Sequence, residues 1–237
     1  VEHEQCRAKS GACMLHCATH ESANIMWSYV ETECNAFVFA NSVLCARTHR
    51  YGDFIDICAA ICGRAPAAGL HLEENRRGTL LVRLEGLGDD LLAQDVLYPV
   101  LGHLVGRTAG HGVPVIDGLP PSVGEDRLKA LGAAAASAGS VGLFHAVGNT
   151  PEAPTVEAAF RGREPEMVVV VSAAELRAAR DALSTTGDSR LGTVSLGTPH
   201  YSVAEINRLV GLLDGRAVHP DVAFYVSSGR DVLAEVG

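Results

Sequence analysis

MVVVVSAAELRAARDALS, residues 167–184, decides how the chain is read. Met167 to Val171 is an apolar run rich in β-branched side chains, the pattern of a buried parallel strand. Ser172 stands three residues before Glu175, so each side chain can close on the other's backbone N–H as a capping box, and helical spacing follows. The unit is strand, cap, helix, and it recurs. TVSLGTPH (193–200) reads as a short strand and turn. Ser202 with Glu205 is a second capping box, and Ile206, Leu209, Val210 and Leu213 share a helical face that Gly215 is placed to end. VAFYVS (222–227) is another strand, and Ser228 with Asp231 is read as the cap of a last helix, GRDVLAEV. Such units in series predict parallel strands joined by crossover helices, an α/β fold. Ligands gather at the carboxyl ends of such strands, where GTPHYS (197–202) forms a corner.

Working toward the N-terminus, the alternation continues. TLLVRLEGL (79–87) predicts a strand, and DDLLAQDVLYPVLGHLVG (89–106) a helix kinked at Pro99. VPVIDGL (113–119) is a strand, DRLKALGAAAASAG (126–139) a helix whose small residues allow close packing, and VGLFHAVG (141–148) a strand. The Pro-rich TPEAPT (150–155) marks a boundary, giving an N-terminal region 1–150 and a C-terminal unit 151–237. In the less regular N-terminal third, AFVFANSVL (36–44) is expected to be a strand entering the polar turn CARTHRYGD (45–53). Beyond it, Phe54, Ile57, Cys58 and Ile61 share a helical face with Gly63 as the stop.

Composition narrows the function. A net charge of −9 and only two lysines, Lys9 and Lys129, disfavour nucleic acid, whose affinity comes from clustered basic side chains. No stretch reaches the ~18 apolar residues of a membrane span. All seven cysteines lie between Cys6 and Cys62. An odd, clustered set favours a reduced, cytoplasmic chain using thiols for packing or metal. The opening VEHEQCRAKS has neither an initiator Met nor an apolar signal core, so no export signal is expected and the chain is expected to begin inside a longer protein.

FANSVLCARTHRYGDFIDICAAICGRAP (39–66) with GLHLEEN (69–75) resembles the motif block of the aconitase X family. LKALGAAAASAGSVGLFHAVGNTPEAPT (128–155) and GTPHYSVAEI (197–206) resemble two later blocks in the same order, so the resemblance covers most of residues 30–237. It implies an aconitase-like α/β fold with sheets flanked by helices. It also implies a hydro-lyase that dehydrates cis-3-hydroxy-L-proline or, as the alternative, mevalonate 5-phosphate with an iron centre. The iron is a cluster or a single ion. A swivelling small domain or small subunit is the implied partner, and a non-catalytic metal-binding or subunit-contact domain on the same scaffold is the competing reading.

Dehydrating a hydroxy acid needs a held carboxylate, a base for the neighbouring proton, and an acid or metal for the leaving hydroxyl. Arg47 offers a planar bidentate donor and is the expected clamp, with Arg50 beside it. The bland alternative is a solvated turn. From the resemblance, Ser42 is the expected base, Asn41, Thr48 and Arg50 contact substrate, and Cys13 and Cys45 bind iron, with Cys17 competing for the role of Cys13. Cys45 stands where the family motif has glycine and His49 where it has asparagine; Cys45 is either a ligand or a small buried hydrophobe. Cys58 and Cys62, at i and i+4, can bind metal, but their apolar neighbours favour core packing. His200, before a capped helix, is a substrate-binding candidate; His145 sits within a strand, and His71 is given no role.

Overall fold

A computed structural model describes residues 9–10, 29–30, 34–50 and 53–237. It divides into two compact units, Val1–Ala182 and Leu183–Gly237. The first begins with the paired strands β1 (Lys9–Ser10) and β2 (Tyr29–Val30), followed by α1 (Cys34–Ser42) and α2 (Asp53–Cys62). Two 3-10 turns, Gly69–His71 and Glu73–Arg76, lead to β3 (Leu80–Leu84). Then come α3 (Asp89–Leu92), α4 (Leu97–Ala109), β4 (Pro114–Asp117) and α5 (Glu125–Ala138). β5 (His145–Ala146), α6 (Val156–Phe160), β6 (Met167–Val171) and α7 (Ala173–Ala182) complete the unit. The second unit is β7 (Thr193–Tyr201), α8 (Val203–Leu213), β8 (Ala223–Ser228) and α9 (Arg230–Val236).

The α/β class is as the sequence predicts. β3 to β6 form one parallel sheet in the order β5-β4-β3-β6, and β7 pairs β8 in parallel. Because strand side chains alternate, register sorts them by face. Leu80, Val82, Leu84, Ile116 and Val171 face the main core with Phe37 and Val38 of α1, Leu97 and Leu101 of α4, Leu131 of α5 and Leu176 of α7. On the opposite face Leu81 and Val115 pack Ala153, Ala159 and Phe160. His145, registered against Val115, belongs to that second face, and this places it where the candidate site is built.

The small residues of α5 do what their sizes predict. Cβ atoms built on Gly102 and Gly106 of α4 would fall 2.2 Å from Leu131 O and 2.4 Å from Ala135 O, so the two helices touch backbone to backbone. The capping box of Ser202 with Glu205 is formed, and at the head of α7 the Glu175 carboxylate accepts from Ser172 N–H and Oγ–H.

Several expectations are corrected. Residues 34–42 are helical, not extended: Phe37, Val38, Phe39 and Ala40 are all buried, and burial on every side erases the periodicity that separates helix from strand. Met167, Val168 and Val170 are 43–52% exposed, because β6 is the edge strand; the apolar run is parallel, but of its five residues Val171 alone is fully buried. The 89–106 helix breaks at 93–96, and Pro99 sits harmlessly in the first turn of α4, where no intrahelical N–H is owed. The 141–148 stretch narrows to the two residues of β5. TPEAPT lies inside the first unit, with Ala153 in its second core and Thr155 capping α6, and the division falls after Ala182. Ser228 does not cap α9; its hydroxyl donates to Tyr201 O. Cys58 and Cys62 are exposed rather than packed in a core, as are Phe54 and Ile61.

Candidate active site

α1 stops at Ser42 and the chain turns back, with Val43 N–H donating to Phe39 O and Ala46 N–H to Ala40 O. The reversal puts Cys45 at φ 55°, in the left-handed region, where a Cβ costs about 1–2 kcal/mol and glycine almost nothing. That is the physical content of the glycine in the resembled motif. Asn41 then pins the return: its Nδ2 donates to Thr48 O at 3.1 Å and Gly142 O at 2.9 Å, and its Oδ1 accepts from Thr48 N–H at 3.1 Å and Arg76 Nη1–H at 3.0 Å. Every hydrogen-bonding position of this fully buried amide is used inside the protein. Asn41 therefore holds the loop in this structure.

Ser42 is buried and its Oγ accepts the Phe144 N–H at 3.0 Å. Thr48 is fully buried, and its hydroxyl has no hydrogen-bond partner among the described residues. Arg50 is exposed. His200 lies in the second unit, exposed on β7 two residues before the Ser202 cap. Cys13 and Cys17 lie outside the described residues.

Two residues that sequence inspection passes over organise the site. Arg76, with no exposed surface, directs all five N–H groups to acceptors: Nε to Glu152, Nη1 to Asn41 Oδ1 and Leu70 O, and Nη2 to Asn41 O and Glu152 Oε1. Its carbonyl accepts from His145 Nε2 at 2.7 Å, which assigns the proton of that neutral ring to Nε2. Glu152, from the turn expected to be a linker, receives Arg76, Arg47 Nη1 at 2.9 Å and the Cys45 thiol at 3.7 Å. Arg47 also pairs with Glu73, whose other oxygen meets Arg161 Nη2 at 2.6 Å; Arg161 stands 3.6 Å from Glu152. Three guanidiniums thus face two carboxylates, leaving one formal positive charge over. The expected solvated-turn alternative for Arg47 does not hold, since it is 7% exposed.

The cluster explains its own ionisation. Burial alone pushes the Glu152 carboxyl up, but the bonds and charge of Arg76 and the charge of Arg47 more than offset it and hold it below the usual carboxylate range. Burial, then the Glu152 charge, push the Cys45 thiol up against the pull of Arg47 and Arg76, so it is kept protonated at neutral pH. Burial lowers His145 and His49, and with the charges of His49 and Arg76 it lowers His71 to about 4.

An iron centre finds one thiol here. Among the described residues no three His, Cys, Asp or Glu side chains converge on a metal position, and Cys45 is bonded to a carboxylate as a thiol. The described residues do not by themselves make such a centre. An open cleft of about 620 Å³ is lined by Val43, by Val123, Glu125 and Leu128 around the start of α5, and by Gly148, Asn149, Thr150, Pro151 and Pro154. The 148–154 turn serves both: its outer edge lines the cleft and its Glu152 enters the cluster.

Known proteins share this arrangement of segments. Residues 12–74 match the family described as aconitase X first domain, and residues 78–181 match aconitase X second domain. The cis-3-hydroxy-L-proline dehydratase of Pseudomonas aeruginosa is 43% identical over 223 residues, 94% of this chain and 37% of that protein. The phosphomevalonate dehydratase large subunit of Methanothermobacter thermautotrophicus is 42% identical over 193 residues, 81% of this chain and 44% of that protein. The chain thus spans less than half the length of these relatives. The crystal structure of Thermococcus kodakaraensis aconitase X in its holo-form superposes with a TM-score of 0.74 at 34% identity, covering 90% of this chain and 51% of that one. Arg47 and Glu73 come from the first matched segment, Glu152 and Arg161 from the second, and Arg76 from the three residues between them. The chain belongs to the aconitase X family, and its buried ion cluster is the seam between that family's first and second domains.

Proposed function

We propose that this chain is the first- and second-domain part of a hydro-lyase that removes water from a small hydroxylated carboxylate, with cis-3-hydroxy-L-proline as the substrate ahead of mevalonate 5-phosphate. The observation that carries the reading is Arg47, a guanidinium buried within an ion cluster that retains one excess positive charge. A buried, preorganised arginine binds a carboxylate bidentately and holds the carbon beside it in one place. The dehydratase named for Pseudomonas aeruginosa matches 94% of the chain at 43% identity, which favours the hydroxyproline.

In this reading Ser42 is the base. The Phe144 N–H aimed at its oxygen stabilises the negative charge left when that hydroxyl has lost its proton, the same physics as an oxyanion hole. Ser42 acts as its alkoxide, its hydroxyl proton having passed to solvent. It takes the proton from the carbon beside the carboxylate, and the C–H electron pair becomes the double bond as the C–O bond on the next carbon breaks. The departing hydroxide takes up a proton from solvent to leave as water. Thr48 and Arg50 are the further substrate contacts proposed. Iron is part of what the family resemblance implies, with Cys45 and Cys13 as proposed ligands, and the described residues do not complete that site. A small swivelling domain or small subunit is the proposed partner.

The test is turnover of both substrates by the intact natural enzyme, with iron measured alongside. Arg47→Ala is expected to lower kcat/KM about 100-fold through lost orientation, measured at a temperature where the variant is folded because removing a buried partner of Glu152 also lowers the thermal midpoint. Turnover of neither substrate, without bound iron, leaves the non-catalytic domain as the better description, and near-parental kcat/KM in Arg47→Ala removes the clamp.

A further inference from the structure

Glu73 is placed differently from every other charge in the cluster. Its carboxylate bridges two arginines, one oxygen on Arg47 and the other on Arg161. Its side chain is 57% exposed, whereas Arg47, Arg161 and Glu152 are 9%, 31% and 14% exposed. The inner carboxylate, Glu152, is locked by the fully buried Arg76, while the outer one enters from the solvent side. A group that spans two guanidiniums with its two oxygens occupies the seat that a ligand's carboxylate would need. Arg161 holds its side of the seat from a tight left-handed turn at the end of α6, φ 53°, followed by Gly162 at φ 69°.

We propose that Glu73 is a carboxylate latch, an internal stand-in for the substrate's acid group, and that Arg161 is the second arm of the seat whose first arm is Arg47. Substrate entry then exchanges one carboxylate for another. Glu73 swings outward, the incoming acid takes its bonds, and the charge balance of the cluster is unchanged. Without any occupant, three guanidiniums would face Glu152 alone, so the latch keeps the seat formed while empty, at the expense of competing with the ligand. This deepens the dehydratase reading and rests on it for the identity of the acid.

The alternative is that Glu73 is a fixed brace between the two segments, and the two ideas predict opposite signs. In the intact enzyme, binding of L-proline, which carries the carboxylate but no 3-hydroxyl, is measured by calorimetry alongside KM for cis-3-hydroxy-L-proline. Glu73→Gln and Glu73→Ala are expected to tighten L-proline binding and lower KM about two- to five-fold, the factor that a half-exposed ion pair is worth. Arg161→Ala is expected to weaken both about five-fold, and the gain from removing Glu73 shrinks in the Glu73→Ala, Arg161→Ala double variant because the shared contact is gone. The Gln variant, which preserves shape, decides the matter if the Ala variant does not fold. Unchanged or weaker binding in Glu73→Gln overturns the latch, as does failure of both parent and variant to bind L-proline. Tighter L-proline binding in Glu73→Gln with no turnover in the parent keeps the latch and sinks the dehydratase reading alone.

Discussion

Arg76 has five N–H groups and no exposed surface, so each group had to find an acceptor on folding or cost the protein a desolvated donor. Its acceptors lie on three stretches of the chain, Asn41, Leu70 and Glu152, and its own carbonyl in turn accepts the Nε2–H of His145. A lysine has three donors and no planar fork, so Arg76→Lys keeps the charge but strands acceptors around it. The expected loss is about 2–4 kcal/mol of stability, read by urea unfolding, together with a rise in KM as Arg47 loses its fixed neighbour Glu152. A Lys variant with parental stability would mean that the fork geometry is unimportant. Cys45 shows the same economy at a smaller scale: its backbone is strained, but its thiol reaches Glu152 where a glycine would have nothing to offer.

Helix α4 meets α5 through glycine, and here two effects compete. Replacing Gly106 by alanine in a helix interior gains about 1 kcal/mol of propensity. The new Cβ, however, falls 2.4 Å from the Ala135 carbonyl oxygen, a backbone atom that moves only if the whole helix moves. Overpacking of that kind costs about 1–3 kcal/mol, and because the obstacle is backbone the upper part of that range applies. Gly106→Ala is therefore expected to lower stability by about 1–2 kcal/mol net, seen as a drop in the thermal midpoint. A variant as stable as the parent would show that the helices sit farther apart than described.

Acid should loosen the first unit as a whole, because buried His145 and half-buried His71 are held neutral. His71 has a folded pKa of about 4 against an ordinary 6.5, and burial lowers His145 as well. Between those values the unfolded chain binds protons that the folded chain refuses, so stability falls as pH drops from about 6.5 toward 4. Glu152, held below its ordinary 4.5, acts in the same direction: its contribution is present above 4.5 and is lost as pH falls through its folded value. Thermal midpoints measured from about pH 7.5 to 4.5 are expected to decline, and His71→Gln is expected to flatten the upper part of that decline. A level profile between about pH 6.5 and 4.5 would contradict the neutral, buried state of these rings.

Much of what could be read directly from the residues rests on short-range chemistry. The Ser202 and Glu205 box, the Gly63 stop, the parallel pairing of β7 with β8 and the tight α4 and α5 contact all follow from local hydrogen bonding, chirality and side-chain size. Arg47, Ser42 and Cys45 were legible as a group because they share one short turn. Tertiary structure alone decided the rest. Whether MVVVV is core or edge depends on what lies beside it, and residues 34–42 read as strand because complete burial hides a helical period. Glu152 looked like a linker residue until contacts spanning 76 and 105 positions brought Arg76 and Arg47 to it. Local chemistry fixes which conformations a segment prefers, whereas the partner of a buried charge is settled only by which distant segments the core brings together.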